Sequence, residues 1–391
     1  MFEKVFEKIG KKLDELKVLN LYRSIRDPEA CEGMKIFIDG KKLINFASND
    51  YLGLKNHPVV KQAAKQAVEI FGVGTGASRL LCGGSRFHKE LENLLCEFKG
   101  SEAALVLNSG YTANISLIPA LAKEEDVIFS DELNHASLID GCRLSKAKKV
   151  IYRHNDMEHL KNLIKETPCN GQRIIITDTV FSMDGDLAPI RELYEICISE
   201  EAILYLDDAH GTGVLGNGHG ALQHFGLKAD NFIIQMGTLS KALGSFGAFV
   251  CADKRFVEWF INNARGFIFS TGLPASVVAS AIASIKLIIK ERTLIERLWE
   301  NTHKVITVLK DLQLKTTATE TPIIPILFES IEEATKASKI LYDSGTYAPV
   351  IRPPTVKTPR IRITVSAGHS DEDIDTLKKA LIRLCQQLRQ V

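Results

Sequence analysis

Seven short apolar runs in the middle of the chain constrain its fold more than any other feature. They are "AALVLNS", "DVIFS", "KVIYR", "RIIITDT", "AILYLDD", "NFIIQMG" and "GAFVCA", and amphipathic stretches such as "MEHLKNLIKET" and "PIRELYEICISE" lie between them. Runs this short and this apolar read as strands buried on both faces, and the stretches between them have helical spacing. Strand and helix in alternation build a mostly parallel sheet covered on both sides, with right-handed crossovers. In such sheets ligands bind beyond the carboxyl ends of the strands, so polar residues just after each run are the first candidates for function.

At 391 residues the chain exceeds one ordinary core. The strand–helix alternation holds for residues 46–285. Residues 286–391 change character: a long helical pattern leads into "TPIIPILFE", "SIEEATKASKILYDSG", "YAPVIR", "RIRITVS" and a last helix beginning at "HSDEDIDTLKKALIRLCQQL", where Ser370 is placed to cap it. This predicts a smaller C-terminal α+β domain. Residues 1–45 open with an amphipathic helix expected to pack with that domain.

Charge is balanced, with 49 basic against 48 acidic residues, so no basic field exists to hold nucleic acid or an anionic membrane. No apolar run reaches the roughly 18 residues that span a bilayer. The eight cysteines form no C-x-x-C pair, which argues against a zinc cluster and for reduced thiols in a cytoplasmic protein. Small molecules or another protein chain are the expected partners.

Several polar strings follow the apolar runs. "YLDDAHGTGVLG" ends a strand in Asp207 and Asp208, with His210 close by, and alone this fits a helix cap as well as a site. "NSGYTAN" opens a helix whose first amides, at Gly110 and Tyr111, could meet an anion. It equally fits a plain strand-to-helix turn. "DELNHASLIDG" carries His135, "VFSMDGDLAP" carries Ser182, and "FASNDYLGL" carries Asn49 ahead of a turn. "FGVGTGASRLLCGG" contains G-x-G-x-G but follows a helical stretch, so the strand that a dinucleotide fold requires is missing. In "GTLSKALG", Lys241 sits among small and apolar residues that disfavour an ammonium, with Thr238 three residues before it.

In this order the strings, with "GTGASRLLCG", "FSTGLP" and "RPPTV", resemble the α-oxoamine synthase family of pyridoxal-phosphate enzymes, from about Phe46 to the C-terminus. The resemblance implies fold type I, a large domain built on a mostly parallel seven-stranded sheet and a smaller α+β domain. It implies a PLP-dependent acyltransferase that joins an amino acid to an acyl thioester, carried on CoA or an acyl carrier protein, and loses CO2. Lys241 would hold the cofactor covalently and act as base, Asp207 would face the ring nitrogen, His210 the phenolic oxygen, and His135 would stack on the ring. Ser182 and Asn49 would lie nearby. Gly110, Tyr111 and Thr238 would take the phosphate, joined by Thr271 or Ser270 from a second subunit. The protein would then be a homodimer with shared active sites. Arg352 in "VIRPPTV" would grip the amino-acid carboxylate and Arg23 would lie near the acyl chain, while Arg360 and Arg362 share one strand face. No metal is implied. "VFSMDGDLAP" and "VIRPPTV" favour L-alanine with a pimeloyl thioester over the glycine and acetyl-CoA of glycine C-acetyltransferase.

Overall fold

In the computed structural model, which describes residues 2–317 and 319–388, all seven apolar runs are strands of one sheet. They are β1 (Ala103–Leu107), β2 (Val127–Asp131), β3 (Lys148–Tyr152), β4 (Arg173–Asp178), β5 (Ile203–Asp207), β6 (Ile233–Thr238) and β7 (Ala248–Ala252). Their spatial order is β1-β7-β6-β5-β4-β2-β3. Neighbours from β6 to β3 are parallel, and β7 runs antiparallel to both β1 and β6. Every residue of β2, β5, β6 and β7 is buried, which explains why these segments are apolar without alternation.

Helices α1 (Gly110–Leu121) and α2 (Ala136–Leu144) follow β1 and β2. One core joins Leu117, Ile118 and Leu138 of these helices to Leu105, Ile128, Tyr205, Met236 and Val250 of the sheet. Asp178 of β4 and Asp207 of β5 are register partners, so the strands end level and their following loops start side by side.

The chain divides into two units. The larger holds Asn49–Ser182 and Asp186–Leu298. The smaller holds the residues up to Ser48, Met183–Gly185 and those from Trp299 onward. In the smaller unit, strands Ile323–Leu327, Arg360–Thr364 and Val350–Ile351 form an antiparallel sheet. Its core packs Phe46, Ile324, Ile361 and Ile363 with Leu377 and Leu381 of the last helix, Asp371–Leu388. Ser370 caps that helix, its Oγ accepting the Asp373 amide at 3.2 Å.

Two segments differ from their sequence patterns. The long helical region is two helices, Ala275–Lys290 and Thr293–Asp311, because the chain leaves helical geometry at Glu291. The N-terminal helix, Phe2–Val18, forms and clusters with the smaller unit but buries none of its residues, so Phe2, Val5 and Phe6 stay exposed. Among the described residues no helix is long and apolar enough to cross a membrane.

Candidate active site

The larger unit gathers its polar groups where β1, β2, β4, β5 and β6 end. Asp207, the last residue of β5, is 4 % exposed. Its Oδ1 accepts the Ala209 amide at 3.0 Å and its Oδ2 accepts Asn114 Nδ2 at 2.8 Å. Burial pushes its pKa up, opposed by the positive charge of Lys241, by the bonds from Asn114 and Ala209, and by His135. Lys241, Asp207 and His135 are thus within electrostatic reach of one another, although they come from a turn, a strand end and a helix cap far apart in sequence. Burial lowers the His135 pKa, Asp207 raises it and Lys241 lowers it further.

His135 caps α2. Its Nδ1 accepts the Ser137 amide at 3.2 Å, which leaves the ring proton on Nε2. Ser137 Oγ, also 2.8 Å from Nδ1, accepts Asn114 Nδ2 at 2.9 Å. Asn114 Oδ1 accepts the Tyr205 hydroxyl at 2.8 Å. The Asn114 amide therefore spends both protons tying the His135 cap to the Asp207 carboxylate, while its oxygen is anchored by Tyr205.

The adjacent acids have separate fates. Asp208 forms a buried ion pair with Lys99 at 2.7 Å and also accepts hydroxyl protons from Thr179 at 2.7 Å and Thr212 at 2.8 Å. Lys99 Nζ makes further bonds to Thr212 Oγ1 and to the His219 carbonyl. Asp208 is thus neutralised from within the fold, whereas Asp207 faces Lys241 and His135. His210 is 7 % exposed and its Nδ1 lies 2.7 Å from the Tyr51 hydroxyl.

At the end of β1, Ser109 caps α1, accepting the Thr112 amide at 3.1 Å. The amides of Gly110 and Tyr111 lie in the first turn, ahead of the intrahelical bonds, which suits an anion. Thr238 ends β6. Its hydroxyl donates to the Gly247 carbonyl at 2.9 Å and accepts the Ser240 amide at 3.1 Å, so it shapes the turn before Lys241 and offers an anion a proton only if redirected. Gly213 makes room beside that turn: a Cβ there would lie 2.4 Å from the Cβ of Ala242. The Thr271 carbonyl accepts Asn108 Nδ2 at 2.8 Å, and its side chain is exposed. Asn49 and Ser182 are partly buried, Asn49 just before Tyr51 and Ser182 after β4.

Arg352 and Arg23 belong to the smaller unit and line a cavity of about 700 Å³ with Tyr22, Arg26, Lys339 and Tyr342. Arg352 Nη2 donates to the Tyr22 carbonyl at 2.5 Å, and its buried Nε has no hydrogen-bond partner among the described residues. Arg23 Nη2 reaches Thr355 Oγ1 at 3.3 Å. Arg360 is held inside the unit by Asp184 at 2.6 Å and the Met183 carbonyl at 2.9 Å.

Asn114, Tyr51, Lys99 and Asp178 carry structure here that single strings did not reveal. Asp178 ends its strand just as Asp207 does, and that position was its only signal. It accepts the His135 amide at 2.6 Å, while burial and the neighbouring Asp207 raise its pKa well above the usual carboxylate range.

The donor set fits pyridoxal phosphate. A buried carboxylate is stable beside a cation, and a protonated ring nitrogen would supply one at Asp207. The first turn of α1 offers amides to the phosphate, and Lys241 offers the amine. Among the described residues no cluster could hold a metal ion.

The aminotransferase class I and II family model matches residues 41–381. A relative from Thermodesulfovibrio yellowstonii is 67% identical over 384 residues, which cover 98% of this chain and 99% of the relative. The 8-amino-7-oxononanoate synthase of Geobacter sulfurreducens is 45% identical over 385 residues, 97% of this chain and 98% of that protein. Among solved structures, a serine palmitoyltransferase from S. paucimobilis with PLP bound superposes with a TM-score of 0.93 at 30% identity, covering 99% of both chains. By sequence and by architecture the chain belongs to the aminotransferase class I and II family, on its α-oxoamine synthase branch.

Proposed function

We propose that this chain condenses L-alanine with a pimeloyl thioester, on CoA or a carrier protein, to give 8-amino-7-oxononanoate, CO2 and the free thiol, a step of biotin biosynthesis. The observation that carries the reading is the buried Asp207, clamped by Asn114 and Ala209 and facing Lys241 and His135.

Pyridoxal phosphate, when bound, supplies the electron sink that stabilises a carbanion at the amino-acid α-carbon. Lys241 supplies the amine that attaches the cofactor. With the cofactor and alanine bound, the Lys241 amine would take the α-proton and return one to the same carbon after CO2 has left. Asp207 would keep a proton on the ring nitrogen of the bound cofactor. His135 presents a flat imidazole to the ring, with its tautomer fixed by Ser137. His210, held by Tyr51, and Ser182 donate toward the ring substituents, and Asn49 borders the substrate.

Gly110, Tyr111 and Thr238 hold the phosphate in this reading, with Thr271 contributed by a second copy of the chain in a cytoplasmic homodimer. The exposed side chains of Leu80, Leu81 and Phe269, on the segments that pair near Thr271 through the Ser78–Thr271 bridge, support such an interface. Arg352 grips the alanine carboxylate, and its unused Nε supports a bidentate hold. Arg23 lies toward the acyl chain.

A thioester panel with the purified protein tests the reading. Turnover is expected to be fastest with L-alanine and pimeloyl-CoA or a pimeloyl carrier protein. Faster turnover with glycine and acetyl-CoA would replace it with the glycine C-acetyltransferase reaction.

A further inference from the structure

The segment "YRHND", which begins at the last residue of β3, has no part in the chemistry above, yet it holds a dense ionic cluster. His154 lies between two carboxylates, with Nδ1 3.0 Å from Asp131 Oδ1 and Nε2 2.8 Å from Asp186 Oδ2. A neutral imidazole carries one N–H, so a ring facing carboxylates with both nitrogens must be the cation. Its neighbour Asn155 has a left-handed backbone, φ 53°. That turn lets the Asn155 amide reach Asp131 Oδ2 at 3.0 Å while its side chain reaches Asp186 Oδ2 and the Leu187 carbonyl, each at 3.1 Å. Phe181 meets the His154 ring edge-on at 4.3 Å between centroids. Burial opposes the charge on His154, but its bonds to Asp131 and Asp186 outweigh that and raise the pKa to about 10.

The two carboxylates belong to two turns that lead to different sides of the candidate site. Asp131 ends β2, and its Oδ1 also accepts the Leu133 amide at 2.8 Å, fixing the turn that delivers His135. Asp186 lies on the return limb of a hairpin closed by the Val180–Leu187 bridge and by the Phe181 amide bonding the Asp186 carbonyl at 3.1 Å. Ser182 stands on that hairpin. Its base is pinned by the Thr179 amide to the Asp207 carbonyl at 2.9 Å, but its other limb is held by His154 and Asn155.

We propose that His154 is a positioning residue, a cationic brace that locks the Ser182 hairpin to the His135 turn so that both sides of the cofactor pocket keep one spacing. The inference rests on the reading of His135 and Ser182 as cofactor-facing residues. Without the cation, Asp131 and Asp186 would repel each other across the gap that the ring now fills. The hairpin would then keep its base bond to Asp207, the Arg360 bonds at its tip and the neutral Asn155 bonds, but lose the charged link that ties its return limb to the His135 turn.

The test is His154→Gln in the full-length enzyme, read by amide hydrogen exchange without cofactor and by pyridoxal-phosphate affinity from cofactor absorbance. Exchange at Phe181, Ala188 and Leu133 is expected to rise at least about tenfold, with β6 unchanged, and cofactor affinity to fall by about tenfold. The KM for the pimeloyl thioester should stay within about twofold. Unchanged exchange in the hairpin, a uniform rise across the chain, or local loosening with unchanged cofactor affinity would each overturn the proposal. If His154→Gln does not fold, Asp186→Asn removes one anion at the same shape and is expected to give the same local exchange and the same loss of affinity. Absence of turnover in the unmodified enzyme would sink the proposed reaction but leave both comparisons intact, so the two failures are distinguishable.

Discussion

Tyr51 and His210 meet through a hydrogen bond of 2.7 Å between the phenol oxygen and Nδ1, although 159 residues separate them in sequence. The bond couples the hydroxyl to the imidazole tautomer: a donating phenol leaves the ring proton of His210 on Nε2, and an accepting phenol takes it on Nδ1. Tyr51 thereby decides which nitrogen of His210 can donate. Tyr51→Phe is expected to cost about 1 kcal/mol of stability and to lower kcat/KM by about tenfold, equal to about 1.4 kcal/mol. The pH titration of the cofactor absorbance should move with it, and an unmoved titration would separate Tyr51 from His210 in function.

Lys241→Ala removes the amine while leaving the small-residue turn intact. Borohydride should no longer fix cofactor to the protein, and kcat is expected to fall by roughly 10²–10⁴-fold or more. Mass spectrometry of the reduced protein checks the first outcome and steady-state rates the second. Label retained on another lysine would move the attachment site.

Lys99→Met strands Asp208 as a buried charge. Breaking a buried pair in this way costs about 3–5 kcal/mol, so the urea midpoint should drop sharply at an unchanged m-value. Adding Asp208→Asn should recover part of the loss, because the amide can still use Thr179 and Thr212 without needing a cation.

Arg352→Lys keeps the charge but loses the planar fork. The KM for alanine is expected to rise by about tenfold or more while the thioester KM changes little. Equal rises for both substrates would argue against a carboxylate grip.

His369 predicts an acid limit to stability in the smaller unit. Its Nδ1 accepts the Ser366 amide at 3.0 Å, its Nε2 lies 3.1 Å from the Asn45 carbonyl, and the ring stacks on Phe46 at 4.2 Å. Burial depresses its pKa to about 4. A depressed histidine contributes stability that is fully present above its unfolded pKa near 6.5 and is lost as pH falls toward 4. Between pH 7 and pH 5 the loss should be about 2 kcal/mol. Urea melts of His369→Asn should show a shallower dependence over that window.

The sheet was legible because each strand is a short, mostly apolar run that ends in or is followed at once by a polar residue. Asp207, His135 and Thr238 all stand at or just after such ends. The residues that tune the site were not legible in the same way. Asn114, Lys99 and Tyr51 act on partners 93, 109 and 159 residues away, and those pairings exist only once the sheet has formed. The string "DD" could not say which acid the fold neutralises, because the answer lies in Lys99 on another helix. The long helical pattern after Ala275 concealed its break at Glu291, since polar residues at a break fit an exposed helical face equally well.

The gap between Gly213 and Ala242 is too narrow for even one added methyl group. With a Cβ at residue 213 only 2.4 Å from that of Ala242, neither the loop after β5 nor the turn carrying Lys241 can thicken without displacing the other. The two loops are therefore gauged against each other by volume as well as by charge. Substitutions that leave every charge in place can still shift the amine off its seat, so mutational drift around Lys241 is rationed by size before chemistry is tested at all.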